Sequence, residues 1–367
     1  MLTFGRPAAL VPPQPTLADW RDPAVAADDL AACRRLLRDG SRTFLAASRL
    51  LPAAVRDPAC ALYAFCRLAD DAVDQHRGAG DPVARLRERL ARVYLGEPLP
   101  LAADRAMAAV VRRFAIPREV PEALLDGFAW DAEGRRYETI EALQAYAARV
   151  AATVGVMMAL LMGVRSREGL ARACDLGVAM QLSNIARDVG EDARMGRLYL
   201  PRQWLREAGI DPDAWLAAPS FDAALAGVVQ RLLDTAESLY DRVGAGIAQL
   251  PRPCRPGINA ARRLYAEIGH EVARRGLDSV SQRAVVAPAR KLRVLVAAVA
   301  ERPRAAAGAA PAPLEATRFL VDAAADGSPP AREAPAVWDL AGRAVRLIDL
   351  CELAAQRRQL RGPSGLL

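Results

Sequence analysis

Two stretches of this chain set a narrow line of polar side chains on a rod that is otherwise apolar, and this restricts the fold more than any other feature. In DPACALYAFCRLADDAVDQH, residues 57–76, a helical period of about 100° per residue brings Tyr63, Arg67, Asp70 and Asp74 within about a 60° arc. Ala61, Leu62, Ala64, Phe65, Leu68, Ala69, Ala72 and Val73 occupy most of the remainder. In LGVAMQLSNIARDVGED, residues 176–192, Gln181, Asn184, Asp188 and Asp192 share about an 80° arc by the same arithmetic, with Arg187 beside them. A surface helix has a wide polar side. A thin stripe on an apolar rod must instead line an internal cavity. Asp57 is expected to cap the first helix with Pro58 at its first position, and Asp71 falls just off the stripe, near the rim.

Carboxylates turned into an apolar interior are costly to keep charged and tend to take up protons. A divalent cation resolves the problem. Aspartates at i and i+4 are neighbours on one face, and Mg²⁺ takes hard oxygen ligands, with substrate phosphates and water completing its shell. Two facing pairs suit several Mg²⁺ ions clamped on diphosphate groups, with Mn²⁺ the other ion that accepts such oxygens. Ions so placed stabilise a departing diphosphate. The likeness of the two pairs suggests a two-fold arrangement of helices around one site.

Composition supports helices throughout. Hydrophobic residues make up 52% and aromatics only 5%, with Ala and Leu dominant, and no run alternates long enough to demand a strand. The net charge of +7 would ordinarily raise nucleic acid as a partner. Lys291 is the only lysine, however, so the bias is one of base composition, and nucleic acid is not expected. Six scattered cysteines without a C-x-x-C, and only His76 and His270, argue against zinc or a disulfide framework and fit a cytoplasmic compartment. The N-terminus has no signal-peptide pattern. The longest apolar stretch, Val150 to Val164, reads as a buried helix because it is short for a bilayer.

The expected organisation is a Pro-rich tail over 1–28, an all-helical domain over 29–300, an Ala/Pro-rich linker over 301–336 with one short helix near Glu315–Ala325, and a C-terminal amphipathic helix and tail over 337–367. Helix breaks are expected at Gly40, Pro52, Gly78–Pro82, Pro98–Pro100, Pro117, Pro212 and Pro251–Pro256. The last helix either packs back on the body or lies at the inner face of a membrane, a peripheral contact that suits an apolar product. The oligomeric state is left open.

YAFCRLADDAVD and QLSNIARDVGEDARMGRLYLP resemble the two aspartate-rich motifs of the squalene/phytoene synthase family. GSRTF at Gly40–Phe44, YAARVAATVGVMM at Tyr146–Met158, LYAEI at Leu264–Ile268 and the stretch from Asp278 through Arg283 to Lys291 follow in the family's order, so the resemblance spans about residues 29–295. It is nearest to the bacterial members that form phytoene. The resemblance implies an all-α isoprenoid synthase fold, a single helical bundle around a deep apolar cavity. It implies that Asp70, Asp74, Asp188 and Asp192 bind metal and diphosphate, that Asn184 joins the metal set, and that Arg67, Arg187, Gln181 and Asn184 assist. Ser41, Tyr63, Tyr199, Tyr265 and Arg283 then lie near the diphosphates, and Phe44 flanks a prenyl chain. Phe44, Tyr63 and Tyr265 also read as plain core aromatics, Arg283 as a surface arginine, and Ser41 as a helix cap.

The implied reaction joins two geranylgeranyl diphosphates head to head, with no NADPH. The alternative is a dehydrosqualene, hydroxysqualene or squalene-type synthase acting on farnesyl diphosphate. Arg149-Val150-Ala151-Ala152 stands where squalene synthases carry Tyr-Val-Ala-Gly, which favours the first. A catalytically silent homologue would have lost a stripe residue, and none is missing.

Overall fold

A computed structural model describes residues 26–40, 45, 47–74, 81–301 and 311–325. Helices succeed one another in the order α1 Ala27–Gly40, α2 Ala53–Asp74, α3 Pro82–Leu95, α4 Ala102–Arg113, α5 Glu119–Ala132, α6 Ile140–Leu161, α7 Arg167–Arg194, α8 Arg202–Glu207, α9 Pro212–Ala217, α10 Ala223–Gln249, α11 Arg255–Arg274, α12 Pro288–Ala300 and α13 Arg318–Ala325. Among the described residues there is no strand. The centre is α7, against which α6, α10, α11 and α13 pack.

The chain punctuates these helices much as its Pro, Gly and Asp residues dictate. Asp81 Oδ1 accepts from the Val83 and Ala84 amides, Pro82 opens α3, and Gly96 at φ +78° ends it. Ser166 caps α7 and Asp222 caps α10, each through its side-chain oxygen.

The start of α2 differs from expectation. The helix opens at Ala53, because the Pro52 carbonyl already accepts from Val55 and Arg56. Pro58 therefore lies inside the helix, and Asp57 is no cap but pairs with Arg34 at 2.7 Å.

The apolar stretch expected as a helix over Val150–Val164 is helical only as far as Leu161, where Gly163 at φ +80° follows its end. It is the second half of a longer helix, α6, whose turn Ala148–Ala152 widens to π geometry. Among the described residues α6 alone is long and apolar enough to cross a bilayer, but most of it is buried in protein. Gly177 allows α7 to meet this π turn, since a Cβ there would lie 2.6 Å from Ala152 Cα.

The stretch expected as a linker carries α13 at the anticipated place, and α13 belongs to the body. Leu320, Val321 and Ala324 are fully buried, and Arg172 and Arg242 donate to the carbonyls of Pro311 and Ala312. The expected C-terminal helix over 337–359 lies outside the described residues.

Candidate active site

A cavity of about 310 Å³ runs beside α7, walled by α2, α6, α10 and α11. Its lining is overwhelmingly apolar; Gln181 and Asn184 of α7 mark a polar end, Arg172 of the same helix lies toward the other, and Tyr63 of α2, Tyr265 of α11 and Ser48 complete the polar lining. Tyr63, Gln181, Asn184 and Tyr265 were expected from the two stripes and the C-terminal signature, and the fold brings them to one cavity. Cys66 joins them, one turn beyond Tyr63. Ser41 and Phe44, and the side chains of Asp70 and Asp74, lie outside what the structure describes. The backbone places Asp70 and Asp74 in the last turns of α2, beyond Tyr63 and Cys66.

On α7 the polar stripe continues past Asn184 to Asp188 and Asp192, both half-buried. Arg187 Nε donates to Asp188 Oδ1 at 2.7 Å, and Arg283 Nε reaches the same oxygen at 2.7 Å from the loop after α11. Arg283 also stands 3.3 Å from Glu191. Burial alone would raise the Asp188 pKa. The two guanidiniums outweigh it and hold the carboxyl below the ordinary range.

Asp192 behaves oppositely. Burial, then the charge of Asp188, push its carboxyl up to about 7; Arg197 offsets them in part, and Glu191 and Asp131 add to them.

Arg283 is delivered by close backbone contact. Gly190 donates to the Ser279 carbonyl at 3.0 Å, and a Cβ at 190 would meet the Val280 carbonyl oxygen at 2.3 Å. Asp278 accepts from the Val280 and Ser281 amides, and Arg194 donates to the Val280 carbonyl. A side chain at 190 would push the loop, and Arg283 with it, off α7.

Tyr199 is not on the cavity wall. Its hydroxyl donates to Asp131 Oδ1 at 2.7 Å, while Tyr146 donates to Asp131 Oδ2 at 2.8 Å. The Tyr199 ring stacks on those of Tyr137 and Tyr146, which are tilted against each other, at centroid separations of 5.1 to 6.2 Å. Burial, then the Asp131 charge, raise both hydrogen-bonded phenols far above their usual range. Sequence reasoning missed Asp131 because it sits alone on α5 with no partner at helical spacing. The run of Tyr137, Tyr146 and Tyr199 across three segments was the available signal.

Neither Arg67 nor Arg149 lines the cavity. Arg67 pairs along its own helix with Asp71, at 2.8 Å, at the exposed edge of the stripe. The Arg149 guanidinium lies over the Trp130 ring at 4.2 Å and the Phe319 ring at 5.2 Å, and Arg149 is absent from the cavity wall. The preference drawn from this position therefore rests on the resemblance and not on a contact with the cavity.

Among the described residues no three His, Cys, Asp or Glu side chains are grouped to hold a metal by themselves. The donor chemistry nonetheless fits Mg²⁺. Asp188, Asp192 and Asn184 offer hard oxygens on one face, the raised Asp192 carboxyl marks a place that a cation would relieve, and Mg²⁺ needs only one or two protein carboxylates beside phosphate oxygens.

The chain matches the family model of squalene/phytoene synthases over residues 37–291. A phytoene synthase of Rhodobacter capsulatus is 56% identical over 271 residues, 73% of this chain and 80% of its own. A phytoene synthase of Cereibacter sphaeroides is 49% identical over 352 residues, 92% of this chain and 96% of its own. Among solved structures, a dehydrosqualene synthase with bound ligand superimposes with a TM-score of 0.68 at 29% identity, covering 74% of this chain and 96% of that one. A squalene synthase from Alicyclobacillus acidocaldarius gives 0.63 at 25% identity, covering 69% and 97%.

Proposed function

The chain belongs to the squalene/phytoene synthase family, and on that premise we propose that it is a prenyltransferase joining two geranylgeranyl diphosphates head to head into phytoene, a step of carotenoid biosynthesis. The observation that carries this is one cavity, apolar along its length, with the second aspartate motif and its arginines beyond its polar end. Relatives named phytoene synthase at 49% and 56% identity support the product.

The reaction begins when one substrate loses diphosphate and leaves an allylic cation. The double bond of the second substrate attacks that cation, and loss of a proton closes a cyclopropane that still carries diphosphate. A second ionisation, rearrangement and proton loss give the hydrocarbon. At the mouth, Arg187 and Arg283 already converge on Asp188, and both can turn toward diphosphate oxygens as charge builds on the leaving group. Asn184 and Gln181 offer amides at the boundary between the polar end and the apolar wall. Below them Val154, Met158, Leu176 and Met180 exclude the water that would quench a cation. Tyr63 and Tyr265 also line the cavity, and aromatic faces attract positive charge.

Asp188, Asp192 and Asn184, with Asp70 and Asp74 of the first motif, are the residues that would hold Mg²⁺, or Mn²⁺ in its place. When bound, such ions neutralise diphosphate and favour its departure. Phytoene formation involves no net reduction, so no nicotinamide is required. The cytoplasm, with peripheral contact at the membrane's inner face, is the compartment that suits charged substrates and so apolar a product.

Incubating the protein with geranylgeranyl or farnesyl diphosphate and Mg²⁺, with and without NADPH, tests the reading by the hydrocarbon formed. Phytoene from the first substrate, indifferent to NADPH, is expected. A farnesyl-derived product in its place would overturn the assignment and leave the family intact.

A further inference from the structure

The residues that line the cavity at the end away from Asp188 are identifiable. Gly169 and Arg172 of α7 and Met162 at the end of α6 line it there. Their level follows from the packing of α6 on α7. A Cβ on Gly155 would lie 2.5 Å from the Ala173 carbonyl oxygen, and one on Gly177 would meet Ala152, so the two helices run antiparallel in fixed register. Continuing that register brings Met162 down to the first turn of α7, beside Gly169.

Arg172 is an unusual wall residue, being only 1% exposed. Its guanidinium donates to the Pro311 carbonyl at 2.8 Å and stands 3.1 Å from Asp175, and neither partner lines the cavity. The charged head is therefore turned outward, and the aliphatic stem is what the cavity meets. Across from it, a Cβ on Gly246 would lie 2.3 Å from Arg172 Cβ, so α10 presses directly on that stem. Asp175 also pairs with Arg242, which donates to the Ala312 carbonyl. The floor is thus braced from outside by residues 311–312, beyond the 37–291 span of the family match.

From Asp188 down to Arg172 and Gly169 is 16 to 19 residues of continuous helix, or about 24 to 28 Å of rise. A shell of metal and phosphate below Asp188 occupies about 5 Å of this, given metal–oxygen distances near 2 Å. About 19 to 23 Å remains. An extended carbon chain advances about 1.2 Å per bond, as polypeptide does. On that scale a geranylgeranyl chain, with sixteen carbons in line, needs about 19 Å, a farnesyl chain about 14 Å and a five-isoprene chain about 24 Å. Four units fill the depth, three leave a void at the bottom, and five collide with the floor.

We infer that Arg172 and Met162 form the floor that sets prenyl chain length, with Arg172 held in place from outside by Asp175 and the Pro311 carbonyl. This rests on the reading of the chain as a head-to-head prenyl synthase and specifies which residues measure the substrate. Met162→Ala deepens the floor without touching a charge, and Arg172→Ala removes the stem.

The test supplies full-length wild type and each variant with geranylgeranyl diphosphate and its five-isoprene homologue in competition, and reads the hydrocarbons by mass. Thermal unfolding is recorded alongside, and Met162→Ala decides the matter if Arg172→Ala does not fold. The ratio of five-unit to four-unit chains incorporated should rise about tenfold or more over wild type, the discrimination that apolar pockets achieve for small length differences. A folded Met162→Ala enzyme that forms phytoene with the wild-type ratio would overturn the inference alone. Wild type that forms no phytoene at all would overturn the functional reading on which it stands.

Discussion

Helix α7 carries two aspartates, each met by two arginines, and they do opposite work. Asp188 faces the mouth with Arg187 and Arg283, where Asp188 is 17% and Arg283 49% exposed. Asp175 lies 13 residues earlier, rotated by about 220°, and is wholly buried with Arg172 while Arg242 closes it from the rim. At the mouth the arginines outweigh burial and hold the carboxyl down. At the floor burial outweighs the arginines and pushes the carboxyl up to about 6. The same pairing of residues is therefore a set of movable charges in one place and a sealed brace in the other. What separates them is access to water and to substrate, not residue type.

Substitutions should divide along that line. Asp188→Asn should lower phytoene formation by about 10³-fold or more, the scale on which loss of a key electrostatic group acts, while leaving thermal unfolding nearly unchanged. Retained turnover would show that the mouth cluster is not the reacting centre. Arg172→Ala should act on stability instead, costing about 3 kcal/mol or more in urea unfolding because the buried Asp175 keeps only one partner. A change below 1 kcal/mol would mean that Arg242 suffices to brace the floor.

The raised Asp175 pKa has a definite sign. Between its ordinary value near 3.8 and about 6 the folded chain holds a proton that the unfolded chain releases, so its contribution to stability falls as pH rises through that window and is flat above it. The total is about 3 kcal/mol, from about two pH units at 1.36 kcal/mol each. Asp175→Asn should remove this slope in urea titrations from pH 4 to 7, and an unchanged slope would assign it to another group. The smallest effect is expected for Asp131→Asn, which leaves the tyrosine pair oriented by a weaker acceptor. Activity should drop about 10- to 100-fold, on the scale of other orienting hydrogen bonds, with the fold intact by circular dichroism.

How much of this was legible in the sequence follows from the range of each signal. Helical period and the Pro and Gly breaks are local, so the all-α class and most helix limits could be read directly. The stripes identified Tyr63, Gln181, Asn184, Asp188 and Asp192 because one face of one helix is a sequence property. Arg149 shows the limit, since its neighbours Trp130 and Phe319 come from α5 and α13, 19 residues before it and 170 after it. Asp131, the Gly190–Val280 contact and the outward turn of Arg172 are likewise products of packing between distant segments. The start of α2 was misplaced for a different reason. Two prolines six residues apart, Pro52 and Pro58, both open helices well, and only the packed chain selects the first.

The mouth as a metal–diphosphate clamp is tested most directly by chelation. Wild-type protein should form phytoene from geranylgeranyl diphosphate with Mg²⁺, lose that activity in excess EDTA, and recover it when Mg²⁺ is restored. Phytoene formation that continues undiminished in the chelator would contradict the clamp.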